Sequence, residues 1–116
     1  MVLASIQHVR GSVQAGLYSI LMSNWKFAQE DQSTDLAMLH HFSIMRKDAA
    51  GEVEFRITVK EFAKPSSHSL SFFAQADKQT NQKTLPVTPA GWGDSLLTAL
   101  AECIREIHRF PYEGPR

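Results

Sequence analysis

Between Asp94 and Pro111 apolar residues recur every three or four positions, and this periodicity constrains the fold more than any other stretch. At roughly 100° per residue, Leu96, Leu97, Leu100, Cys103, Ile104, Ile107 and Phe110 share an arc of about 140°. Thr98, Glu102, Arg105, Glu106 and Arg109 fill the opposite side. Asp94 reads as the N-cap, because a carboxylate there accepts from the free N–H groups of the first turn. Pro111 disfavours helical geometry at Phe110 and supplies the stop. A helix with one apolar side requires a sheet or a second helix to cover it.

Three segments alternate as strands do. Val53, Phe55, Ile57 and Val59 interleave with Glu52, Glu54, Arg56, Thr58 and Lys60, which gives one buried face and one wet face. Upstream, Leu36, Met38, His40, Phe42 and Ile44 form the more apolar of two registers, and Lys47–Gly51 reads as the hairpin loop. Downstream, Leu70, Phe72, Ala74 and Ala76 form the inward row of a third strand, with Phe73 an exception on the outer row. Asp77–Gly93 reads as a long connection that holds either a short edge strand near Leu85–Val87 or, with its two prolines and two glycines, a fixed loop into the helix.

Residues 3–22 place Leu3, Ile6, Val9, Val13, Leu17, Ile20 and Leu21 within about 120° of a helical wheel, which predicts an N-terminal helix. Gly11 and Gly16 oppose it, and a strand is the alternative. Trp25 and Phe27 read as a hydrophobic plug before the polar run Gln29–Thr34. The expected fold is therefore α+β in two layers. It is a three-stranded antiparallel sheet, or four-stranded with the edge strand, carrying an N-terminal and a C-terminal helix on one face in the order α-β-β-β-α. Residues 1–116 read as one globular domain, long enough to bury about two-thirds of its unfolded surface without a metal or disulfide.

Twelve basic residues balance twelve acidic ones, so no overall field draws the chain to nucleic acid or to a charged lipid surface. No apolar run reaches membrane-spanning length, and the N-terminal stretch lacks the pattern of a signal peptide. One cysteine cannot form an internal disulfide, so the expected location is cytoplasmic.

The chemistry-bearing residues do not assemble into a motif. His40 and His41 are neighbours on a strand and point to opposite faces, so they cannot chelate one ion. Cys103 and His108 lie about 140° apart on their helix. No Cys-x-x-Cys or His-x-x-x-His spacing occurs, and neither a metal nor a cofactor is expected. Cys103 sits mid-arc and reads as a small buried hydrophobe whose pKa rises. Gly91-Trp92-Gly93 before a helix lacks the remaining glycines and the lysine of a phosphate loop, and reads as a turn and cap.

The order helix, three strands, helix is similar to that of the double-stranded RNA-binding domain. That resemblance implies a two-layer α+β body and, for such domains, a basic cluster at the start of the last helix. Here Asp94-Ser95-Leu96-Leu97-Thr98 stands there, with no cation until Arg105, which argues against that function. The function read from the sequence is a non-enzymatic protein-interaction or self-associating domain, a homodimer being one form. Its candidate surface comprises Phe73, Pro86, Pro89, Trp92 and Tyr112, with no catalytic residue among them. The alternatives are a nucleic-acid binder using Arg46, Lys47, Arg56 and Lys60 on the hairpin, and a small enzyme with His41 or His68 as base.

Overall fold

The computed structural model describes residues 24–65 and 70–116. The helix expected over residues 3–22 lies outside them. A single 3-10 turn at Asn24–Ala28 leads to four strands, β1 (Ala37–Asp48), β2 (Gly51–Phe62), β3 (Phe72–Ala76) and β4 (Ala90–Gly93), and then to one helix, α1 (Leu96–Arg109). The strands form an antiparallel sheet in the order β1-β2-β3-β4. The fold is thus α+β, an open four-stranded sheet with a helix on one face.

β1 and β2 form a hairpin whose register runs without a bulge from Ala37↔Phe62 to Asp48↔Gly51. The loop is only Ala49–Ala50, and Gly51 takes φ +125°, a conformation open to glycine. Val53, Phe55, Ile57 and Val59 are all buried, as their alternation predicts. They meet Ala74 and Ala76 of β3 and Ala99, Cys103 and Ile107 of α1 in one core.

The fourth strand corrects the sequence reading. It lies at Ala90–Gly93, where a turn was expected, while Leu85–Val87 contributes only the isolated bridge Thr80↔Val87. Its glycines face the helix. A Cβ at Gly91 would stand 2.6 Å from the Ala99 carbonyl oxygen, and one at Gly93 would stand 2.7 Å from the Ala99 nitrogen. The backbone of α1 therefore rests on the backbone of β4, and its buried line is Ala99, Cys103 and Ile107, four residues apart.

That placement narrows the expected apolar arc. Leu97 is 75% exposed, while Leu96, Leu100 and Ile104 are partly buried against the core. The N-cap is Ser95, one residue later than Asp94, and its Oγ accepts from the Thr98 N–H at 3.1 Å. At the other end the Arg46 guanidinium donates to the Ile107 and Phe110 carbonyl oxygens at 2.7 and 2.6 Å, which satisfies free carbonyls of the last turn.

The segment after α1 folds back on the long connection. Asn81 N–H donates to the Pro111 oxygen, Glu113 N–H to the Gln82 side chain, and Lys83 N–H to the Glu113 carboxylate. Arg116 reaches Asp48 at the hairpin, and that guanidinium holds the Asp48 carboxyl below the usual carboxylate range. Phe27, expected to plug the body, is exposed.

Candidate functional site

Among the described residues α1 covers one face of the sheet and leaves the other open. On the open face a row crosses all four strands, Leu39 opposite Lys60, Lys60 opposite Phe73, and Phe73 opposite Trp92. The Phe73 and Trp92 rings lie 4.6 Å apart, tilted at 42°. Phe62, one step along β2 from Lys60 on the same face, stacks on Trp92 at 6.2 Å and 19°. Trp92 is 45% exposed despite both contacts, so its outer side meets solvent. These are large rings held on strands and packed against one another across the sheet.

Beside Trp92 a cleft of about 180 Å³ is lined by Asp35, Phe62, Lys64, Pro65 and Trp92. This is well below the roughly 300–1,000 Å³ of small-molecule sites. It is the size of one inserted side chain.

Away from the aromatic end the open face is polar. A shallow depression of about 430 Å³ is lined by His41, Arg56, Thr58, Lys60, Phe73, Gln75 and Asp77. His41 Nδ1 is 3.2 Å from the Thr58 hydroxyl, and Arg56 stands 3.6 Å from Glu54. The Glu54 carboxyl is held below its ordinary range, first by the Ser43 hydroxyl that donates to it at 2.6 Å and then by Arg56.

The expected surface residues separate. Phe73 and Trp92 come together on adjacent strands, and Pro86 is exposed in the connection. Pro89 and Tyr112 are corrections, because both are buried. Pro89 offers its carbonyl oxygen to Ala76 N–H inside the body. The Tyr112 ring meets Phe55 edge-on at 5.6 Å, and its hydroxyl donates to the Pro115 oxygen. Phe62 was missed. Alternation along Gly51–Phe62 puts it on the outer face, and that signal was available.

Of the basic hairpin residues, Arg46 is committed to α1 and Lys47 stands 4.0 Å from Glu52. Arg56 and Lys60 face the open sheet, and so does Lys47 at the hairpin end of it. His40 lies on the covered side, 3.0 Å from Glu61, and His68 is outside the described residues. No group of three or more metal-ligating side chains converges among the described residues.

Cys103 has no exposure, and its thiol stands 3.6 Å from the Pro89 carbonyl oxygen. Burial, reinforced by Glu106, pushes its pKa up to about 11. The thiolate is therefore scarce at neutral pH. A water-soluble disulfide reagent should label Cys103 slowly in native buffer and at once in denaturant. Equal rates would place the thiol at the surface.

No helix among the described residues is long and apolar enough to cross a membrane. No protein-family model, curated protein or solved structure matches the chain in comparison.

Proposed function

We propose that the chain is a protein-interaction domain whose docking surface is the aromatic end of the open sheet face. The observation that carries this reading is Trp92, half exposed yet packed against both Phe62 and Phe73. Interface hot spots are enriched in such rigid amphipathic rings beside a pocket, ringed by residues that exclude water. Leu39 and Lys60 extend the row on one side, and the small cleft by Pro65 receives a single anchor side chain.

A second reading rests on Lys60, whose side chain has no hydrogen bond or ion pair among the described residues and which stands directly beside Phe73. Aromatic rings next to cations are the elements of single-strand nucleic-acid binding. Arg46, held at the end of α1, and the balanced charge weigh against it.

The test uses the Trp25→Phe variant, so that Trp92 is the sole indole. Acrylamide should quench it strongly, and a protein partner captured on the wild-type chain should suppress that quenching. Trp92→Ser should weaken capture by about thirtyfold, the scale of a hot-spot loss. Unchanged capture by Trp92→Ser would end this reading. A steep salt dependence with oligonucleotides, absent with protein, would promote the second.

A further inference from the structure

From the free edge of β1 and the residue pattern around Phe42, we infer that a second copy of this chain pairs antiparallel with β1, centred on Phe42. β1 is twelve residues long and has β2 as its one neighbour among the described strands. Edge strands are ordinarily protected by prolines, bulges or central charges. β1 has no proline and no bulge, and between Ala37 and Met45 it carries no formal charge apart from histidine protonation.

The backbone polarity sets which pairings are possible. Ala63 N–H donates to the Leu36 oxygen directly opposite it, so even-numbered β1 residues bond towards β2. In an antiparallel ladder the alternate residues turn their N–H and C=O groups the other way. The odd-numbered residues from Ala37 to Lys47 therefore present donors and acceptors to the free edge. A two-fold perpendicular to the sheet pairs odd with odd and keeps both helices on the same side.

Side chains select among those registers. Centring on Phe42 sets Leu39 opposite Met45 of the second copy, twice by symmetry, and Phe42 opposite itself. These are three apolar residues left exposed in the single chain, at 52%, 48% and 36%. Lys47 falls diagonally beside Asp35 of the second copy, and no like charges oppose one another. Moving the centre to His41 sets Leu39 against Ser43, and moving it to Ser43 sets Leu39 against Lys47. A second copy is thus the occupant that matches the edge in both backbone phase and side-chain character. The two surfaces share only Leu39. Trp92→Ser leaves the β1 edge intact and Met45→Lys leaves the aromatic end intact, so either proposal can fail alone.

Light scattering on the full chain should give twice the 13.0 kDa chain mass. Leu39→Lys with Met45→Lys should return it to the single-chain mass by opposing like charges, while Leu39→Lys with Met45→Glu should restore the dimer. Phe42→Cys should form a disulfide between copies on mild oxidation, since facing residues of a non-hydrogen-bonded pair are within disulfide reach. Ser43→Cys should not cross-link. Circular dichroism confirms that each variant is folded. A wild-type chain of single mass, as would follow if another part of the chain covered this edge, overturns the inference. So does failure of the lysine–glutamate pair to recover the dimer, or cross-linking at Ser43→Cys in place of Phe42→Cys.

Discussion

Alanine at position 91 should lower the stability by about 3 kcal/mol, the upper part of the range for overpacking a tight contact. The added methyl would lie 2.6 Å from the Ala99 oxygen, 2.7 Å from the Glu102 Cβ and 2.8 Å from the Cys103 nitrogen. Two of those atoms belong to the backbone of the helix interior and cannot rotate away. Relief requires lifting α1 off β4, which opens the contact of Ala99 and Cys103 with the sheet. Valine at the same position should leave no folded protein, because domains of this size hold only about 5–15 kcal/mol in total. Urea denaturation provides the measurement. An alanine variant within a few tenths of wild type would mean that the helix does not rest on this strand.

Phe55→Ala should cost about 3–5 kcal/mol, the range for emptying a fully packed aromatic site. Phe55 has no exposed surface and touches both the sheet core and Tyr112, whose ring it meets edge-on. The loss therefore combines transfer of the ring, the cavity left behind and a freed Tyr112. Because Tyr112 is tied to Pro115, the segment after α1 should loosen as well. Hydrogen exchange should show faster opening at Asn81 and Glu113, which bond across that segment. Tyr112→Phe, which keeps the ring and removes only the hydroxyl, should leave most of the stability in place. A Phe55→Ala loss below about 1 kcal/mol, the level of an exposed site, would contradict the packing described here.

The contrast between β2 and β4 shows which parts of the fold could be read from the sequence. Val53–Val59 alternates cleanly because one face packs and the other is wet, and period-2 patterning records that difference. β4 consists of Ala90, Gly91, Trp92 and Gly93, where close helix approach demands glycine on the covered side. The residues that make this strand possible are the ones that hide it, since glycine carries no strand signal. With β4 unseen, the Phe73–Trp92 pair could not be inferred, although both residues were singled out. Periodicity puts Phe42 and Leu97 on apolar faces, yet both are exposed. Periodicity defines a face but not how far its cover extends, and α1 packs on β4, β3 and β2 rather than over β1. Pro89 and Tyr112 turned inward for the same reason: their surroundings come from segments far away in sequence.

Because α1 follows every described strand, synthesis on the ribosome presents the sheet before its cover. Elongation at roughly 5–20 residues per second separates the emergence of Phe62 from that of Arg109 by a few seconds. During that interval the nascent hairpin offers the Val53–Val59 row without the α1 contacts, next to a long unpaired edge. Slow codons between Phe62 and Leu96 would lengthen the exposure, and chaperones that bind extended apolar segments would have their best opportunity there. Chains released before Leu96 should accumulate in the insoluble fraction, whereas chains that include α1 and the segment through Arg116 should not.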